Sequence, residues 1–392
     1  MTYQAILLVS CLLLVAFGVE RLSKSTGIPA VIVMIGMGLL GKPLLANFGV
    51  ELGGIHAAVS VLGTVGLVLI VLEGAFDLQL RRDRLLTASQ AFVSAVLGLV
   101  AWAALFSAMG VWALGLPPFH AFLLAMPFSV ISSAVAIPSS SFLRPSGREF
   151  VVYESSISDI LGVLIFFAAL SSDQTFEGVL LNLANTGLVS LLLGGVCAVG
   201  LLFGLVKLGG HIRFVPLLAS LFALYAVGKL LHLSPLIMVL MFGLILNNPA
   251  LFSRLGILRK VMTDEGFGAT VREFKTLTGE LTFAVRGVFF VLLGYWTDLG
   301  SLTSLQAWTG AALGLLGIYG VRRLLLNILR VDMAAALTWI APRGLITVLL
   351  FLSVKDVVSL PAYLDGILML MVMFSALLLG LGRWAARNTP AS

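Results

Sequence analysis

Apolar runs about as long as a bilayer-crossing helix, roughly 20 residues, follow one another along almost the whole chain, with short polar, Gly- or Pro-containing breaks between them. Thirteen can be marked, at about 4–19, 28–45, 55–79, 86–113, 119–143, 149–171, 178–206, 214–231, 234–247, 278–297, 303–328, 333–354 and 361–382. The pattern predicts an all-α polytopic membrane protein. Segment 234–247 is short, and the longest ones are expected to tilt or to include loop. The first segment lacks a positive start and a small-residue cleavage site, so it reads as a retained helix.

Two segments are interrupted near their centres. One interruption falls within Met126-Pro127-Phe128-Ser129-Val130-Ile131-Ser132-Ser133-Ala134-Val135-Ala136-Ile137-Pro138, in the fifth segment. The other is Trp339-Ile340-Ala341-Pro342-Arg343-Gly344, in the twelfth. An offset of seven segments makes the two enter the membrane in opposite directions. That predicts an inverted-topology repeat, segments 1–6 matched to 8–13, with two crossing discontinuous helices whose half-helix ends meet near mid-membrane.

Composition agrees: 60% of residues are hydrophobic and 11% charged, and the mean hydropathy is +1.11. Soluble chains carry about 25% charged residues. The excess of +6 is explained by where the cations fall, and nucleic acid is not an expected partner. Arg21 and Lys24, Arg81, Arg82 and Arg84, Arg144 and Arg148, and Lys207 and Arg213 sit in alternate connections. So do Arg254, Arg259, Lys260, Arg272 and Lys275, then Arg322, Arg323 and Arg330, then Arg383 and Arg387. Only Lys42, Lys229 and Lys355 fall opposite, and Arg286 and Arg343 lie inside helices. The positive-inside rule then puts the amino terminus outside and the carboxyl terminus in the cytoplasm. The stretch 250–277 reads as an amphipathic linker near the headgroups. No regulatory nucleotide-binding tail is expected after residue 392. Cys11 and Cys197, both in apolar segments, give no disulfide framework.

Against this apolar background the buried acids stand out. Asp159 lies mid-segment in Tyr153-Glu154-Ser155-Ser156-Ile157-Ser158-Asp159. A charge at that depth costs about 2.5–3.5 kcal/mol on insertion scales. Ser155 and Ser156, four and three residues earlier, share its helical face. Oxygen donors around one titratable acid suit a small hard cation or a proton, held in turn rather than together. Ser132, Ser133 and Ser158 are further candidate donors. Glu154 points about 140° away from Asp159 and needs its own partner, for which Arg343 is the candidate. Glu73 ends an apolar run and is placed in a funnel or at the ion site. Asp77 is placed at the interface near Arg81. Arg286, deep in the tenth segment, must meet a carboxylate or snorkel. His56, His120, His211 and His232 fall near segment ends, spaced wrongly for a metal site. Thr282, Thr347 and Ser353 are expected to bond locally to backbone. No nucleophile–base arrangement, cofactor motif or phosphate loop appears, so an enzyme is not expected.

These residues resemble a known family. Glu154-Ser155-Ser156-Ile157-Ser158-Asp159 is similar to the Glu-Ser-x-x-Asn-Asp run of Na⁺/H⁺ antiporters in the monovalent cation–proton antiporter superfamily. Trp339-Ile340-Ala341-Pro342-Arg343-Gly344 resembles its Trp-x-x-x-Arg-Gly. Leu72-Glu73-Gly74-Ala75-Phe76-Asp77-Leu78 resembles its Phe-Glu-Ala-Gly-Leu-x-Leu-Asp, and Phe289-Phe290-Val291-Leu292-Leu293-Gly294 a common phenylalanine-rich helix. The order of the motifs also matches. The resemblance implies a thirteen-helix homodimer in the bacterial inner membrane, with a dimerisation scaffold (1–85 and 172–297, including linker helix 7) and a mobile, elevator-like core (86–171 and 298–392). It implies alternate binding of Na⁺ and H⁺ at Asp159, with Ser155 as a ligand, and a Glu154–Arg343 pair. Ser158 stands where many members have Asn or Asp, and Ser132-Ser133-Ala134 where a large branch has Thr-Asp-Pro. With a single acid available, electroneutral exchange of one proton for one cation is expected. K⁺ or Li⁺ in place of Na⁺ remains open, as do a cation-coupled solute symporter on the same fold and a non-transporting membrane module.

Overall fold

A computed structural model describes residues 2–26, 29–47, 55–78, 85–208, 214–231, 233–248 and 265–387. They are mostly helical, with no strand among them. In chain order the helices are α1 (Thr2–Thr26), α2 (Ala30–Asn47), α3 (Ile55–Asp77), α4 (Leu85–Leu114), α5 (Pro118–Ser129), α6 (Ser133–Ser139), α7 (Pro145–Leu170), α8 (Phe176–Leu208), α9 (Phe214–Leu230) and α10 (Pro235–Asn247). Then come α11 (Glu265–Trp296), α12 (Leu299–Thr303), α13 (Leu305–Ile328), α14 (Ala334–Thr338), α15 (Leu345–Lys355), α16 (Tyr363–Leu377) and α17 (Leu379–Arg387). Each of the thirteen apolar segments has a helix or helix pair. Seven spans among the described residues are long and apolar enough to cross a membrane, and four shorter apolar helices accompany them.

Local chemistry sets many of the ends. Pro118, Pro145 and Pro235 open α5, α7 and α10, where a missing N–H costs no hydrogen bond. Gly115 takes a φ of +64° between α4 and α5, which a residue without Cβ adopts freely. Thr282 and Ser353 bond the carbonyls of Thr278 and Leu349 one turn back, as expected of hydroxyls in membrane helices.

The chain forms two compact units. The first comprises 1–66, 86–158 and 283–392. In it α5 packs on α15, α13 on α14 and α16, α14 on α17, and α1 on α2. Glycines allow backbones to touch: a Cβ on Gly38 would stand 2.9 Å from the Cα of Gly294. Such close approach is how membrane helices gain dispersion energy without a hydrophobic driving force. The second unit comprises 67–85 and 159–282, with α10 packed on α8 and α9.

Two expectations change here. Helix α11 begins at Glu265, so residues 265–277 extend the tenth span instead of forming a headgroup linker. The reason is its periodicity: Phe274 is buried edge-on against Phe76, with centroids 6.0 Å apart, while Arg272 and Glu273 face outward. Asp77 pairs with Lys275 (3.6 Å), one residue along the same stretch, and the Lys275 ammonium also donates to the Phe76 carbonyl. Arg81, Arg82, Arg84, His211, Arg213, His232, Arg254, Arg259, Lys260 and Asp264 lie outside the described residues.

Candidate functional site

The fifth segment breaks at Val130-Ile131-Ser132, between α5 and α6. No proline or glycine stands there, because Pro127 and Pro138 are inside the flanking helices. The break is held by tertiary bonds: the N–H of Ile131 donates to Ser158 Oγ (3.0 Å), and the N–H of Ser132 to the Pro342 carbonyl (2.9 Å). Pro342 belongs to the second break, Ile340–Gly344, between α14 and α15. There the N–H of Arg343 donates to Ser375 Oγ (2.9 Å) and that of Gly344 to Thr347 Oγ1 (3.3 Å). Irregular backbone at membrane depth persists only when its polar groups are satisfied within the protein, and these four donors are.

Helix α7 brings the polar run past the first break. Ser155, Ser156, Ser158 and Asp159 are all buried, Asp159 with 4% of its surface exposed. Ser155 Oγ donates to its own helix at the Val151 carbonyl (2.7 Å), leaving its lone pairs for another partner. Among the described residues Ser156 Oγ is buried without a hydrogen-bond partner. Ser158, which props Ile131, is covalently next to Asp159, so the acid is one peptide away from the residue that pins the break. Ser132 and Ser133 are buried at the start of α6. Glu73 is half-buried on α3. Among the described residues no group of three His, Cys, Asp or Glu is placed to hold a resident metal.

The partner of Glu154 is not the expected one. Arg322 of α13 grips its carboxylate with both guanidinium nitrogens, at 2.9 and 2.7 Å, and Ser94 of α4 donates to the same carboxylate at 2.6 Å. Arg322 Nε donates to the Leu337 carbonyl (2.8 Å). Arg343 is instead stacked over Trp102, 4.9 Å from the ring centroid, with one N–H on the Ala341 carbonyl. By sequence Arg322 falls with the basic connections, yet it is 1% exposed within α13 while its neighbour Arg323 is exposed. Successive helical residues point about 100° apart, so two adjacent arginines need not share an environment. Arg286, left without a partner by the sequence, donates to the Ala134 carbonyl on α6 (3.1 Å).

The family model described as "Sodium/hydrogen exchanger, transmembrane" matches residues 7–383. The chain belongs to the sodium/hydrogen exchanger family. This exchanger is therefore a multi-pass membrane antiporter of cation and proton, from a family of transporters and not of enzymes. Its fold is similar to the sodium proton antiporter MjNhaP1 from Methanocaldococcus jannaschii, in the structure at pH 8, with a TM-score of 0.71, 18% identity and 98% of each chain covered. The electron-microscopy structure of the same antiporter gives a TM-score of 0.69, 19% identity and 100% of each chain. At such identities the likeness establishes the fold. None of the curated proteins matches.

Ser94 and Arg322 hold Glu154 without being singled out by the sequence of this exchanger. A signal existed for Arg322, which lies six residues inside the end of segment 303–328. For Ser94, one serine in an apolar helix, there was none. Gly344 marks how closely the breaks meet, since a Cβ there would stand 2.8 Å from the Cβ of Ser132. Gly344→Ala is expected to force the crossing apart and cost about 1–3 kcal/mol. Thermal melts of the detergent-purified variant check this, and an unshifted midpoint would show that the crossing has slack.

Proposed function

We propose that this exchanger moves one monovalent cation, Na⁺ first, against one proton, with Asp159 as the carrier of both. The observation that supports this reading is Asp159 itself: an acid 4% exposed within an apolar span, adjacent to the serine that pins an interrupted helix. Coupling is competition. A protonated carboxyl offers the cation no charge, and a bound cation displaces the proton. Ser155, Ser158, Ser132 and Ser133 are assigned as oxygen donors to the ion, and Glu73 and Arg286 as residues of the access funnel. The Glu154–Arg322 pair serves geometry and carries no ion. A homodimer in the bacterial inner membrane suits the reading, with its amino terminus outside, its carboxyl terminus in the cytoplasm and lipid around it. In it the parts 86–171 and 298–392 move, elevator-fashion, against a scaffold of 1–85 and 172–297. Such exchange serves pH homeostasis.

The test is cation-driven proton movement in proteoliposomes with Na⁺, K⁺ and Li⁺. Apparent cation affinity should tighten as pH rises on the binding side, and level off once Asp159 is fully ionised. Affinity indifferent to pH would remove competition as the coupling device. With one titrating acid, an imposed membrane potential should leave the rate nearly unchanged. A strong response would mean that net charge moves with each cycle.

A further inference from the structure

Within the first unit lies a cavity of about 390 Å³, lined by Glu20, Ser139, Arg286 and Arg383, with Met34 and Val135 on its apolar side. Arg286 reaches it from α11 and spends one N–H on the Ala134 carbonyl. Arg383 reaches it from α17, its guanidinium 5.7 Å from the ring centroid of Phe142. Neither guanidinium has a carboxylate at ion-pair distance among the described residues, and Glu20 has no cation at that distance. The cavity thus holds two cations and one acid that do not neutralise one another in contact.

Two guanidiniums facing one partly enclosed space, with free N–H forks, match the oxygens of a phosphate group, which carries up to two negative charges near neutral pH. Basic pockets between membrane helices favour such headgroups. The Ser139 hydroxyl supplies a further donor, and the apolar wall suits a glycerol or the start of an acyl chain. We infer that this cavity binds a phosphate-bearing anion between Arg286 and Arg383, with Glu20 as a repulsive neighbour that limits affinity. Asp159 is not among the residues lining this cavity, and the inference rests on that lining rather than on which ion is carried. A lipid headgroup and a soluble phosphate offer the same chemistry, so the test must separate them.

The experiment melts the purified exchanger in a neutral detergent with increasing dihexanoyl phosphatidic acid, dihexanoyl phosphatidylcholine or inorganic phosphate. Phosphatidic acid is expected to raise the melting temperature saturably, and phosphatidylcholine not. A matching rise with inorganic phosphate supports the site with a soluble ligand, and a rise confined to phosphatidic acid supports it with a lipid. Arg383→Gln should weaken the apparent affinity roughly tenfold through loss of a charge-assisted pair. Glu20→Gln should tighten it by about threefold through removal of a like charge. The two variants move in opposite directions, so a general loss of stability cannot imitate the result, and their unliganded melts report folding. No rise with either anion, an equal rise with phosphatidylcholine, or an affinity unchanged in both variants would overturn the inference.

Discussion

Asp159→Asn should yield a folded exchanger that no longer couples cation and proton. Asn keeps the size and much of the hydrogen bonding of Asp but cannot titrate and offers no full charge. If Asp159 is the carrier, the variant retains no group that can take the two ions in turn, and exchange falls to the liposome background. Stability points the other way. A carboxylate 4% exposed within a membrane span is itself costly, by about 2.5–3.5 kcal/mol for a charge at the helix centre. Replacing it with a neutral amide should leave the melting temperature unchanged or slightly higher. Proteoliposome flux beside a detergent melt separates the two effects. Undiminished flux in a well-folded Asp159→Asn protein would end the proposal for that residue.

The second large effect is structural. Glu154 and Arg322 are 2% and 1% exposed and joined at 2.7 Å, with Ser94 completing the carboxylate shell. Removing one partner strands the other as a buried charge, at about 3–5 kcal/mol. Arg322→Met and Glu154→Leu should each melt well below the parent protein. Together they should melt less than the sum of the single losses below it, because the double change leaves no uncompensated charge. Recovery will be incomplete: the Leu337 carbonyl loses the donor at 2.8 Å, and an unsatisfied buried acceptor costs about 1–3 kcal/mol. Strictly additive losses would show that the pair is not the coupled unit its geometry indicates. The pair also ties α7, five residues before Asp159, to α13, and α14 through Leu337, so it positions the helix that bears the acid.

Several of these residues were visible in the chain alone for one physical reason. In an apolar run a charged side chain is expensive enough to be informative, so Asp159, Glu154, Arg286 and Arg343 announced themselves by type and depth. What could not be read was which of them meet. Glu154 had two arginines within reach of a folded chain, and spacing along the sequence does not rank long-range partners. The nearer family motif suggested Arg343, and packing chose Arg322. Asp77, expected at the interface near Arg81, pairs with Lys275, far along the chain.

The breaks teach the same distinction. Prolines and small residues located the interrupted segments to within a few positions. Yet the first interruption falls at Val130–Ser132, where local propensity alone would continue a helix, while Pro127 and Pro138 are absorbed within α5 and α6. Hydropathy marked the apolar segments, because a bilayer imposes length and polarity on each one separately, and the interruptions in the fifth and twelfth gave their inverted relation. Tertiary structure alone decided the exact interruption and the ion-pair partners. Those depend on hydrogen bonds such as Ile131 to Ser158 and Ser132 to Pro342, whose donors and acceptors lie far apart in the chain and meet only when the helices pack.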